Sequence, residues 1–265
     1  MSEGVRLDKL LVQRGLVSSR ARAEEVIVQH GVRINGTHVE RKPSKSVAED
    51  ALLELLGEAL PWVGRGALKM MAMIEAWPDF RAALTGGYVL DVGASTGGFT
   101  EVALQHGAAA VCAVDAGRDQ LHPSLRAVPE VWSVEQQKIQ DFEAAALQAR
   151  WGRLASVFAI DVSFTGLRHI LPSVAMLAAP GALGCILVKP QFEVGPAGLS
   201  RAGIVRNEKL RQQAIRRVTQ EVLDAGFTIA VDMPSPVSGG DGNIEHLLGV
   251  LHHIPGAENN GNCTS

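Results

Sequence analysis

Apolar residues are spaced at two distinct periods in the first fifty residues and gather into continuous runs further along. Over residues 6–14, Leu7, Leu10 and Leu11 fall on one helical face, with Arg6, Lys9, Gln13 and Arg14 around it and Gly15 as a stop. Residues 18–31, SSRARAEEVIVQHG, repeat the plan: Ser18 or Ser19 caps, Ala23, Val26 and Ile27 face inward, and Gly31 follows the end. In VRINGTHV the apolar stretches shorten to strand length, and Asn35-Gly36 between them predicts a tight hairpin. Two helices and a hairpin predict a small α+β module.

Residues 61–85 read as a connector and a helix. From Tyr88 onward, apolar runs alternate with helical segments. Strands are predicted near 88–92, 110–114, 131–134, 157–160, 182–188, 228–233 and 246–251. Such alternation predicts a parallel sheet with helices on both faces. The last two strands are joined by PSPVSGGDGNIE, too short and too rich in Gly and Pro for a crossover helix. The final strand is therefore expected to run antiparallel to its predecessor. The expected division is a first domain over 1–60, a second over 61–254 with 61–68 as linker, and a disordered tail over 255–265.

Composition narrows the class. The chain has 265 residues, 46% hydrophobic and 20% charged, as in an ordinary globular protein. Cys112, Cys185 and Cys263 lie far apart with no CxxC pair, so neither a zinc site nor a disulfide framework is expected. Reduced thiols, no apolar signal region at the N-terminus and no apolar run near the ~20 residues of a membrane span predict a cytoplasmic protein. The net charge of −3 gives no overall signal for nucleic acid. Residues 1–47 carry nine Lys/Arg against five Asp/Glu, or +4, which leaves −7 for the remainder. That asymmetry marks a local basic patch.

Two features carry candidate chemistry. In YVLDVGASTGGFTEV a strand ends at Asp91-Val92-Gly93, and a Gly-rich turn leads into a helix near Gly97-Gly98. Glycine allows close backbone approach to a ligand, and a helix N-terminus offers free N–H groups. The glycines at 93, 97 and 98 do not make GxGxxG; the spacing is nearer to the DxGxxxGG turn used for S-adenosylmethionine. The next strand ends CAVDAG, which puts Asp115 where a carboxylate binds ribose hydroxyls. The second feature is a rim: Asp161 ends the fourth strand, Lys189 ends the fifth just before Pro190, and Glu245 begins the reversed last strand. All three are expected on one sheet edge beside the cofactor.

RLDKLLVQRGLVSSRARAEEVI…GVRINGTHVERKP resembles the S-four RNA-binding domain. WVGRGALKM, LDVGASTGGFTEV, LVKPQFEVG and SPVSGGDGNIE resemble the TlyA family of rRNA 2′-O-methyltransferases, relatives of FtsJ; some members have been called haemolysins. The resemblance implies a class I, Rossmann-like α/β S-adenosylmethionine-dependent methyltransferase domain behind a small RNA-binding domain. It implies a catalytic tetrad of Lys69, Asp161, Lys189 and Glu245, with Lys189 positioning the ribose hydroxyl and accepting its proton late. Asp161 would orient Lys189, and Lys69 and Glu245 would hold the ribose and the lysine. Asp91, Gly93, Ser95, Thr96, Gly97, Gly98, Phe99, Asp115, Ala116 and Asp161 are expected to hold the cofactor, and Asp141, in a segment that departs from the family, is placed near its adenine. Arg6, Lys9, Arg20, Arg22, Lys42 and Arg65 would contact rRNA. VEQQKIQDF departs from the family's Asn/Arg-containing motif, and AGRDQLHPSLR lacks its tyrosine. Three rivals remain: a non-catalytic RNA-binding protein with a relic methyltransferase domain, a methyltransferase of small molecules or proteins, and a haemolysin.

Overall fold

Leu7, Leu10 and Leu11 are buried with Ala23, Ile27, Val32 and Val47 in one cluster, which makes both early helices amphipathic supports for a small sheet. In a computed structural model, which describes residues 4–17, 20–57, 61–239 and 242–253, the chain divides into two units, Met1–Pro61 and Trp62–Ser265. The first unit runs β1 (Val5–Arg6), α1 (Leu7–Gln13), α2 (Arg20–Gln29), β2 (Val32–Ile34), β3 (His38–Glu40), β4 (Ser46–Val47) and β5 (Leu53–Leu55). Strands pair in the orders β3-β2-β5 and β1-β4. Asn35 and Gly36 have φ of 50° and 75°, the double positive φ of a type I′ turn, and β2 pairs antiparallel with β3 across it. The strands β1, β4 and β5 were not predicted, because two or three residues are too few to show alternation.

The boundary also corrects the charge reading. Residues 48–61 add Glu49, Asp50, Glu54 and Glu58 and no Lys or Arg, so the first unit is formally neutral. The +4 belongs to its first 47 residues alone. The caps expected at Ser18 or Ser19 and the tail over 255–265 lie outside the described residues.

The second unit runs α3 (Gly66–Ala76), α4 (Pro78–Leu84), β6 (Tyr88–Val92), α5 (Gly98–Gln105), β7 (Ala110–Val114), α6 (Pro123–Arg126), β8 (Val131–Val134) and α7 (Ala144–Trp151). It continues with β9 (Ala155–Ile160), α8 (Leu171–Leu177), β10 (Ala178–Val188), α9 (Pro190–Glu193), α10 (Glu208–Asp224), β11 (Phe227–Pro234) and β12 (His246–His252). The connector-and-helix segment holds two helices, split where Pro78 occupies the first turn of α4. Residues expected to be a linker are part of this unit: Gly66–Leu68 already belong to α3, and the Val63 amide donates to Glu101 Oε2 at 2.6 Å.

The strand order is β11-β12-β10-β9-β6-β7-β8. β12 is antiparallel to both neighbours, as the short Gly/Pro connection predicts, while β10, β9, β6, β7 and β8 are mutually parallel. β10 starts at Ala178, earlier than predicted, with a register shift between Ala178 and Leu183. Phe158, Ile186, Val218 and Val222 fill one face with α8 and α10. Met70, Met73, Phe80, Leu84, Val102 and Leu247 fill the other, under α3, α4 and α5. Cys112 and Cys185 sit inside strands, and burial pushes both thiols up, as for inert core cysteines.

Gly184 shows how tightly the sheet is filled. A Cβ there would lie 2.1 Å from Cζ of Phe158, its neighbour on β9. Gly184→Ala is expected to lower unfolding free energy by ~1–3 kcal/mol through overpacking. Urea titration reads this directly, and an unchanged midpoint would contradict it.

Candidate active site

At the carboxyl edge of the sheet four charged side chains form one continuous chain of ion pairs. Asp161 follows β9, Lys189 follows β10 and Glu245 immediately precedes β12. Because β12 runs the other way, its entry lies beside the exits of its parallel neighbours. Lys69, on α3, reaches in from above the edge. Lys69 Nζ lies 2.7 Å from Glu245 Oε2 and 3.7 Å from Asp161 Oδ2, and Lys189 Nζ lies 2.6 Å from Asp161 Oδ1. The Glu245 side chain is only 2% exposed and that of Lys69 only 8%. Two cations and two anions leave the group formally neutral, the condition under which such burial is tolerated.

Local sequence explains the approach. Pro190 lacks the N–H that a continuing strand needs; it ends β10 and starts α9, leaving extended Lys189 at the rim. Gly66 at the start of α3 lets the helix come close, since a Cβ there would sit 3.3 Å from the Phe99 ring and 3.7 Å from Asp161 Oδ2. Arg65 Nη2 donates to the Ser238 carbonyl at 2.6 Å, tethering the segment that leads to Glu245.

Two adjoining cavities share Gly93, Ser95, Asp161 and Ser163 as walls. The larger, about 680 Å³, is also lined by Asp115, Ala116, Gly117, Gln120 and Gln137–Gln140. The smaller, about 210 Å³, holds Lys189 with Arg65, Asp91, Thr96, Gly98 and Phe99. Asp115 Oδ2 accepts from the Ser95 amide at 2.8 Å and Oδ1 from the Gly117 amide at 2.7 Å, which fixes the carboxylate on the larger cavity's wall. Gly93 (φ 80°) is required there, because a Cβ would lie 2.6 Å from the Asp161 carbonyl oxygen.

The expected cofactor residues thus divide between the cavities, with Gly97 lining neither. Gly97 instead takes a left-handed conformation (φ 95°) that starts α5, packed against Leu125. Asp141 is exposed at the end of a short 3-10 turn (Ile139–Asp141), next to Gln137, Lys138, Ile139 and Gln140, which line the larger cavity. Three residues were missed. Ser163 Oγ accepts from Lys189 Nζ at 2.9 Å. Buried Gln191 donates from Nε2 to Glu245 Oε1 at 3.5 Å. Phe164 (φ 63°) packs on Phe192 at 5.2 Å between ring centroids yet stays 91% exposed at the cavity rim. Their positions next to Asp161 and Lys189, in DVSF and KPQF, were the available signal.

Of the residues expected to contact RNA, Lys9 and Lys42 are exposed and Arg22 is partly buried. Arg6 and Arg20 are both engaged by Asp8, at 2.7 and 3.0 Å.

A seven-stranded sheet with one reversed strand, a Gly-rich turn after β6 and a carboxylate after β7 defines a Rossmann-like methyltransferase domain. The comparisons make the family specific. The FtsJ-like methyltransferase model matches residues 62–250 and the S4 (S-four) domain model matches 5–49. The chain is 38% identical over 249 residues to the 16S/23S rRNA (cytidine-2′-O)-methyltransferase TlyA of Mycobacterium tuberculosis, covering 94% of this chain and 90% of that one. It is 32% identical over 243 residues to hemolysin A of Brachyspira hyodysenteriae, covering 92% and 98%. A solved structure from Streptococcus thermophilus matches with a TM-score of 0.71 and 36% identity, covering 96% and 90%. This chain belongs to the FtsJ-like methyltransferase family, with an S4 domain ahead of the methyltransferase domain.

Asp91 behind the turn adds a pH dependence. Its Oδ2 accepts from Thr100 Oγ1 at 2.6 Å, while buried Oδ1 has no hydrogen-bond partner among the described residues. Burial pushes this carboxyl up to about 7; the Thr100 hydrogen bond opposes the shift, and nearby Asp161 and Asp115 add to it. The folded state then keeps a proton that the unfolded chain loses near pH 4. The contribution of Asp91 to the stability of the ligand-free protein should fall as pH rises from about 4 to about 7, then level off. Urea unfolding at pH 5 and pH 8 should show this loss in the wild type and a smaller one in Asp91→Asn. Equal losses in both proteins would refute the assignment.

Proposed function

We propose that this protein transfers a methyl group from S-adenosylmethionine to a ribose 2′-hydroxyl of rRNA. The observation that carries the reading is the ion-pair chain Glu245–Lys69–Asp161–Lys189, with Lys189 and Asp161 at the seam of two adjoining cavities. The relative named for cytidine-2′-O-methylation of 16S and 23S rRNA supports the choice of RNA and of position. The larger cavity suits the cofactor in size. Asp115 is held by two amides with lone pairs to spare for ribose hydroxyls, and Gly93 and Gly117 leave backbone accessible. When bound, S-adenosylmethionine supplies an electrophilic methyl on a sulfonium.

The chain's own residues supply positioning and a route for the proton. Lys189 has two of its contacts fixed, to Asp161 Oδ1 and Ser163 Oγ, so its ammonium is aimed rather than free to swing. That leaves it one donor for the ribose oxygen. Methyl transfer to a hydroxyl releases a proton, and the Lys189–Asp161 pair takes it up as the oxygen becomes an ether. Lys69, held by Glu245, keeps Asp161 from turning away. The exposed Phe164 ring at the cavity rim offers a face on which a nucleobase can stack. Arg6, Lys9, Arg20, Arg22, Lys42 and Arg65 are proposed phosphate contacts, and binding through them weakens with salt. Among the described residues, no helix is long and apolar enough to cross a membrane.

Lys189→Met is expected to retain cofactor affinity by calorimetry and RNA affinity by filter binding. Its methyl transfer to rRNA should fall at least 10²-fold, within the range for loss of a positioned acid–base group. Near-normal turnover would remove Lys189 from the mechanism.

A further inference from the structure

Asp8 is an acidic residue inside a segment read for its positive charge, and its side chain is fully buried. Its two oxygens receive four donors. Oδ1 accepts from Arg6 Nε at 3.1 Å and from the Lys9 amide at 2.8 Å. Oδ2 accepts from Arg6 Nη2 at 2.7 Å and from Arg20 Nε at 3.0 Å. The arginine side chains remain 46% and 59% exposed. Arg6 ends β1 and Arg20 opens α2, so one carboxylate ties the end of one element to the start of another.

The mode of binding matters. Asp8 grips Arg6 through one edge of its guanidinium and Arg20 only through Nε. Among the described residues, Nη1 of Arg6 and both terminal nitrogens of Arg20 have no hydrogen-bond partner. Two guanidinium groups meeting at one oxygen, Oδ2, are held close although both are positive. With Asp8 and with Glu24, whose Oε1 lies 3.8 Å from Arg20 Nε, the cluster is formally neutral, so what it offers a phosphate is its unused guanidinium donors rather than an excess of charge. Guanidinium forks suit phosphate oxygens, and anchoring them beforehand removes part of the ordering cost of binding. The two arginines also hold Asp8 well below the usual carboxylate range, with Arg6 the main cause, so the anchor stays ionised at neutral pH.

We infer that Asp8 is a positioning residue that builds Arg6 and Arg20 into a preformed two-arginine cradle for one RNA phosphate. The inference rests on the RNA-binding reading of the preceding subsection and adds to it the residue that organises the contact.

The test uses the full-length chain and a fluorescein-labelled rRNA hairpin, with affinity followed from 50 to 300 mM KCl. Asp8→Asn is expected to weaken binding about tenfold and to flatten the slope of log affinity against log salt by about one. Cofactor affinity should not change. In the Arg6→Gln/Arg20→Gln background, Asp8→Asn should cause no further loss of RNA affinity, because its effect passes through those side chains. Arg20→Lys keeps the charge without touching the buried carboxylate, but a single ammonium cannot match the guanidinium's division between Asp8 and phosphate. It should lose nearly as much affinity as Arg20→Gln, and this comparison decides the question if Asp8→Asn does not fold. Wild-type affinity and salt slope in Asp8→Asn, an undiminished further loss in the double-glutamine background, or full affinity in Arg20→Lys would each overturn the cradle. Absence of salt-dependent binding by the wild type itself would overturn the RNA-binding reading as well.

Discussion

One strand running against its neighbours makes the site possible. A wholly parallel sheet offers its ligand edge only residues at strand exits, here Asp115, Asp161 and Lys189. β12 enters between β10 and β11 in the opposite sense and brings its first neighbour, Glu245, to the same edge. The Glu245 side chain is almost fully buried, and Lys69 Nζ lies 2.7 Å from it as counter-charge. Lys69 in turn leans on Asp161, and Asp161 on Lys189. Each charge is tolerable because the next is there, so removing one leaves an uncompensated partner in a poorly solvated place.

Close backbone approach sets the rest of the geometry. Gly93 lets the turn after β6 lie against the carbonyl of Asp161, and Gly66 lets α3 lower Lys69 toward the same residue. Asp161 therefore belongs to the wall of both cavities and to the ion-pair chain. One carboxylate thus joins the walls of both cavities to Lys189. Asp91 is buried behind this wall with one oxygen unpartnered among the described residues, and burial pushes its carboxyl up to about 7.

The sheet was legible to the residue at β6, β7 and β8, because each is a short, mainly apolar run that ends at a glycine or an acidic residue. The reversal of β12 followed from the length and composition of one connection. The start of β10 was not legible, since AAPG at 178–181 has none of the apolar signal of 182–188. The rim residues could be read because a charge directly after an apolar run is conspicuous. Ser163 and Gln191 had only their nearness to Asp161 and Lys189 to mark them, because a lone polar side chain gives no periodic pattern and the fold shows what it touches. Around Asp141 the sequence offered little guidance, because a 3-10 turn sends successive side chains in different directions. The basic patch was overstated by a cut at residue 47, just short of four acids that the fold includes in the same unit.

The most direct test of the central claim is the chemical position of the methyl group. Ribosomal RNA incubated with the protein and isotope-labelled S-adenosylmethionine, then digested with alkali, should yield label in alkali-resistant dinucleotides, since a 2′-O-methyl blocks cleavage at its own phosphate. Label on bases in fully cleaved nucleotides, or no label in RNA under conditions where the protein binds it, would contradict a site built around Lys189 and a ribose hydroxyl.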